Sequence, residues 1–280
     1  MRLELNSQRR VEVLRLAGSV IAVIDDTFVD IEQVREAALE QGYAIPDSGY
    51  PGLRARVSPI GGRAFVELLA RVILDQLWPE GYPKAIDLDV IAADFYASAL
   101  GLRERPSDLI DQHADHDVWL AAVTYLSDTD HDDEGTAFWR HRATGLTCWM
   151  SDKDPVELLW LQELLGLEFL AQLPAAIEAL PRPDLQQLQA EIWRQRVGGE
   201  VAADAWERLA LVRQRCNRTV VYPGWQFHSA ISRAVVPAPS RREQLRLSLG
   251  TFMSVPFAFA NKPSYRREVY PKAAELGLPE

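Results

Sequence analysis

Apolar residues change their spacing several times along this chain, and each change marks a different kind of element. SVIAVI (19–24) is a short β-leaning run closed by Asp25 and Asp26, which predicts a strand. A helix is expected next: Asp30 can cap it with Gln33 three residues on, Ile31, Val34 and Ala38 form one stripe, and Gly42 offers the stop. YPGLRARVSPIGG (50–62) is a loop by its proline and glycine content, after which Phe65, Leu68, Leu69 and Val72 recur at helical spacing until Pro79.

Near residue 85 the texture becomes that of a sheet. AIDLDVIAADFY (85–96) and DVWLAAVTYLS (117–127) alternate or run apolar over strand lengths between turn residues. From Pro155 to about Cys216 the spacing returns to three and four, which predicts a helical block, with 150–215 as an insertion. RTVVY (218–222), a Pro-Gly turn and EQLRLSLGTFM (243–253) then resume strand character. The second strand group is too short to stand alone, so the simplest reading is one domain over 1–280. Its fold class is mainly β with α: a sandwich or barrel carrying N-terminal helices and a helical insertion.

Composition narrows the function. The chain has 280 residues, 30 basic against 40 acidic, a net charge of -10, five histidines and two cysteines. An acidic chain without a basic run repels phosphate backbones, so nucleic acid is not expected as a partner. No apolar stretch is long enough to span a membrane, the first residues are polar, and Cys148 and Cys216 are isolated. A soluble cytoplasmic protein is expected.

The histidines carry the chemistry. In LIDQHADHDVW, His113 and Asp115 are two apart and share a face of an extended backbone. His228, after the Pro-Gly turn, is the one histidine of the second strand group. Two imidazoles and a carboxylate on one face of an octahedral ion leave three positions open, the arrangement of non-heme Fe(II) oxygenases. A bidentate 2-oxoacid and dioxygen fill those positions, and the oxoacid's distal carboxylate needs a cation. Arg246, with Ser248 two residues on in LRLSL, offers a guanidinium and a hydroxyl on one strand face.

This set, His113-x-Asp115, a distant His228 and Arg246-x-Ser248, resembles the 2-oxoglutarate/Fe(II)-dependent dioxygenase superfamily, in its prolyl-hydroxylase-like and phytanoyl-hydroxylase-like branches. DFYASALGLRERPSDLIDQHADHD is similar to the strand, loop and HxD entry of those branches. VTYLSD with EGTAFWRHRATG resembles the next strand pair, and NRTVVYPGWQFHSA the strand and turn bearing the distal histidine. The resemblance covers about 85–145 and 216–253. It implies a double-stranded β-helix, or jelly roll, that binds Fe(II) and 2-oxoglutarate and couples decarboxylation to succinate with hydrogen abstraction from a C–H bond. Family halogenases replace the carboxylate that Asp115 keeps, so hydroxylation, desaturation or ring closure such as cyclopropane formation is implied instead. The implied substrate is a small molecule, an amino acid or a natural-product intermediate.

Other residues are weighed against ordinary structural roles. A second HxD, His131 and Asp133, lies in the acidic loop SDTDHDDEGT without a strand behind it, and His116 would face away from the pair. Tyr96, Tyr125, Arg54, Arg140, His141 and Arg142 are candidates to line or support the substrate site. Asn217 and Arg218 are expected to be structural. The helical insertion is expected to flank the substrate entrance or form an oligomer contact, such as that of a homodimer. The competing readings are a metal-binding jelly roll without turnover and a zinc hydrolase, the latter fitting an Arg-x-Ser pair less well.

Overall fold

The computed structural model describes residues 1–16, 19–44, 53–77, 91–100, 112–115, 118–128, 132–148, 184, 187–188, 204–231 and 246–254. Strand β1 (Arg10–Leu16) pairs antiparallel with β2 (Ser19–Asp25), which joins the body of the sheet. β2 reads as a continuous apolar run because both its faces are buried. Val20, Ala22 and Ile24 enter a core roofed by helices, while Ile21 and Val23 enter the space between the two sheets.

Helix α1 (Ile31–Leu39) starts where the sequence places it. The Asp30 carboxylate accepts the Gln33 N–H at 2.9 Å, and Val34 and Ala38 are buried. It ends at a Glu40 cap in ordinary right-handed geometry, so Gly42 is not the stop. Helix α2 (Gly62–Leu77) buries Phe65, Leu69 and Ile73 against β2 and β8 (Thr219–Pro223).

The remaining strands are β3 (Leu53–Val57), β4 (Ala92–Leu100), β5 (Leu120–Tyr125), β6 (Gly135–His141), β7 (Trp206–Arg213), β9 (His228–Ile231) and β10 (Arg246–Ser254). The larger sheet has the spatial order β1-β2-β8-β5-β10-β4-β3, the smaller β7-β6-β9, and an isolated bridge from His113 to His228 extends the smaller one past β9. From β4 onward the chain crosses between the sheets at every step except β6 to β7, which pair within the smaller one, and β8-β5-β10-β4 stands against β7-β6-β9 and the His113 segment. That is the double-stranded β-helix, or jelly roll. Between the layers pack Tyr125, Val220, Tyr222 and Phe138, with Phe252 at the margin. Behind the larger sheet, Leu247, Leu249 and Met253 join the helix-covered core.

Two further sequence expectations are corrected. Leu53–Val57, expected in a loop, is the edge strand β3, paired from Leu53↔Ala99 to Val57↔Phe95. Its prolines and glycines flank the five residues rather than interrupt them, and the open edge of β4 supplies the partner. Trp206–Arg213, expected as the end of the helical block, is β7, paired with β6 from Gly135↔Arg213 to His141↔Trp206. Leu209 is an extra residue at a bulge opposite Phe138 and Trp139, which gave the apolar positions their helix-like spacing. Asp184, Gln187 and Leu188 are helical; the rest of 149–203 lies outside the described residues, as do 85–90 and 243–245. Among the described residues no helix is long and apolar enough to cross a membrane.

Candidate metal centre

His113 and His228 meet as an antiparallel backbone pair. Each N–H donates to the other's carbonyl, at 3.0 Å from His113 and 2.8 Å from His228, and the rings lie 4.4 Å apart. The Asp115 N–H donates to the Gly224 carbonyl at 2.8 Å, and the Gly224 N–H to the Trp119 carbonyl at 3.1 Å. The Pro-Gly turn before β9 is thus pinned to the HxD segment, and glycine is required there. A Cβ on Gly224 would stand 2.4 Å from the Val118 carbonyl oxygen.

The side chains converge. One ligand atom from each of His113, Asp115 and His228 lies within 4.8 Å of the other two. Asp115 Oδ1 is 3.9 Å from His113 Nε2, and Oδ2 is 3.6 Å from His228 Nε2, both too long for direct hydrogen bonds. Oδ2 is buried without a hydrogen-bond partner, an arrangement that costs free energy unless a cation fills the gap. The His228 Nδ1 donates to the Gln226 carbonyl at 2.8 Å, which leaves Nε2 with its lone pair toward Asp115. Burial, reinforced by His113 and opposed by Asp115 and the Gln226 carbonyl, pushes the His228 imidazole down to about 4. It is neutral at physiological pH, the form that ligates metals. The residues therefore fit a divalent cation. The Tyr222 ring, 4.5 Å from that of His228, walls the inner side, whereas the His113 side chain is half exposed.

A row of residues crosses the larger sheet opposite. The Tyr125 hydroxyl bonds to Thr136 Oγ1 of β6 at 2.7 Å, so Tyr125 faces the interlayer space. In register with it stand Ser248, then Ser98, then Arg54, which share that face. Arg246, two residues from Ser248, lies on the same side, as the spacing predicts. Its Nε donates to Gln214 Oε1, and its Nη1 is buried without a hydrogen-bond partner. The Arg54 guanidinium stands 5.7 Å from the Tyr96 ring centre and 5.6 Å from that of Phe252, and those two rings meet edge-on at 5.9 Å.

Other candidates fall elsewhere. Arg140 forms a two-pronged bond to Glu207 at 2.8 and 3.0 Å. His141 is fully buried, bonds through Nδ1 to Thr144 at 2.9 Å and packs on Trp206, which makes it a turn residue. Arg142 is exposed at that turn. Arg218 pairs with Asp25 at 2.6 Å, and Asn217, at φ 64, brackets Phe28 with two side-chain bonds, so both are structural. His116 and His131 lie outside the described residues. Sequence reasoning missed Gln226, Gly224 and Gln214. Only the Pro-Gly pair hinted at one of them.

A family model described as a family of unknown function (DUF6445) matches residues 6–159, a stretch that holds His113 and Asp115 but stops short of His228 and Arg246. No curated protein matches the chain. Among solved structures the chain is similar to a prolyl-4-hydroxylase from Pseudomonas putida, at 10% identity, with 84% of this chain and 91% of that one covered and a TM-score of 0.34. It is also similar to HygX from Streptomyces hygroscopicus with nickel and 2-oxoglutarate bound, at 15% identity, 85% and 83% coverage and a TM-score of 0.38. EvdO2 from Micromonospora carbonacea var. aurantiaca gives 12% identity, 88% and 90% coverage and a TM-score of 0.38.

Proposed function

This chain belongs to the DUF6445 family, whose function is unknown, and we propose that it works as an Fe(II)- and 2-oxoglutarate-dependent oxygenase of a small-molecule substrate. One observation carries the reading. The buried, unpartnered Asp115 Oδ2 faces the lone pair of a neutral His228 beside His113, a donor set of two imidazoles and a carboxylate. When bound, Fe(II) with chelated 2-oxoglutarate supplies dioxygen-driven decarboxylation to succinate and CO2 and, with it, hydrogen abstraction from the substrate.

The chain's own residues set the rest. Arg246 holds the distal carboxylate of the co-substrate and Ser248 adds a hydroxyl donor, both from the interlayer face of β10. Tyr125, buried and bonded to Thr136, closes the inner end of that face against water. The half-exposed His113 side is where substrate approaches. Arg54 over Tyr96 and Phe252 is the candidate to meet a polar substrate group there. An amino acid or a natural-product intermediate fits, and retention of Asp115 favours hydroxylation, desaturation or ring closure over halogenation.

Anaerobic addition of 2-oxoglutarate to the Fe(II)-loaded protein tests this. A weak visible charge-transfer band is expected, followed by succinate release when air is admitted. Iron binding with neither band nor succinate overturns the oxygenase reading and leaves a metal-binding jelly roll.

A further inference from the structure

Gln214 follows the last residue of β7 and is buried. Its amide has one donating and one accepting end, and the surroundings decide which points where. Nε2 donates to the carbonyls of Ser127 at 2.9 Å and Asp128 at 3.4 Å, two acceptors that would repel an oxygen. Oε1 therefore turns to Arg246 and accepts its Nε–H. The clamp is itself braced: the Gln214 N–H donates to the Glu134 carbonyl at 2.9 Å, and Ser127 Oγ accepts the Leu247 N–H at 3.0 Å, one residue beyond the arginine.

A guanidinium held through Nε is fixed in its plane while its terminal nitrogens stay available, and Arg246 Nη1 is buried without a partner. The clamp is also neutral. Among the described residues no acid lies within ion-pairing distance of Arg246, and the Tyr125 phenol beside it is kept protonated by burial. A glutamate at position 214 could hold Nε equally well but would cancel the charge.

We infer that Gln214 is a positioning residue that orients Arg246 without neutralising it, so that the site selects a 2-oxoacid with a distal carboxylate over one without. The inference rests on the reading of Arg246 as the co-substrate cation.

The test is calorimetric binding of 2-oxoglutarate and of 2-oxovalerate, which ends in a methyl group, to Ni(II)-loaded wild type, Gln214→Glu and Gln214→Met. Both variants lose the bonds to Ser127 and Asp128, methionine also loses the acceptor for Arg246 Nε, and only glutamate adds charge, so a loss with glutamate in excess of that with methionine comes from the charge. With one unit charge placed beside the guanidinium, Gln214→Glu should bind 2-oxoglutarate about ten- to a hundredfold more weakly than wild type. Its 2-oxovalerate and Ni(II) affinities should stay unchanged, and Gln214→Met should fall between for 2-oxoglutarate. Equal loss of both oxoacids, or wild-type selectivity surviving Gln214→Glu, overturns the inference alone. Wild-type protein that binds Ni(II) but neither oxoacid overturns the oxygenase reading and this inference together.

Discussion

The backbones of His113 and His228 exchange both hydrogen bonds of a single antiparallel pair, so two residues far apart in the chain are locked ring to ring, 4.4 Å between centres. The HxD segment cannot shift without carrying the distal histidine's strand with it. Asp115 is tied into the same unit through Gly224. Geometry of this kind is set before any metal arrives, which is what a precise coordination site needs.

His113→Ala, Asp115→Asn and His228→Ala should each lose the Ni(II) affinity of wild type and the metal-dependent rise in melting temperature, because a ligand that binds only the folded state stabilises it. His131→Ala, in the second HxD copy, should retain both. Calorimetry with thermal melts checks this, and loss of binding in His131→Ala alone would move the centre to the acidic loop.

Stability without metal should fall on acidification in two separate windows. The folded His228 pKa, about 4, is below its ordinary value of 6.5, so the unfolded chain takes up a proton first. That contribution is whole above about pH 6.5 and drains away as pH falls toward 4. Asp25, held below its ordinary 3.8 by its bond to Arg218, contributes above that value and loses its share only at lower pH. Denaturant midpoints against pH should therefore flatten between 6.5 and 4 in His228→Gln, whereas Arg218→Met should lower the midpoints throughout and change their pH slope only below that window.

Gly224→Ala should cost about 1–3 kcal/mol, as overpacking does, since the added Cβ meets the Val118 backbone oxygen at 2.4 Å. Because Asp115 hangs from the Gly224 carbonyl, Ni(II) affinity should fall as well. Gly42→Ala, with nothing within 4 Å of the new Cβ, serves as the control and should melt like wild type. Urea titration with calorimetry measures both.

Neither thiol should react readily at neutral pH. Burial pushes Cys148 up to about 12 and Cys216 up to about 11, the latter helped by Asp128 and Glu32. Alkylation counted by mass spectrometry should find both unmodified in native protein and both modified in denaturant. Fast native labelling of Cys216 would contradict that burial.

Local physics wrote a good part of this protein into its sequence. The Asp30 cap acts within one turn, the β2 run is apolar because both faces are covered, and the two-residue spacings of His113 with Asp115 and Arg246 with Ser248 follow from strand pleating alone. Pairing is a different matter, because it depends on which edge is open and on what lies across the interlayer space. β3 needed the free edge of β4, and β7 needed β6 to absorb the Leu209 bulge, so their residues read locally as loop and helix. The same holds within the site. That His228 and Asp115 bear metal-binding side chains was legible. That Gln226 fixes the tautomer, that Gly224 lets the turn close on Val118, and that Gln214 steers Arg246 were decided by contacts between distant segments, which no spacing along the chain encodes.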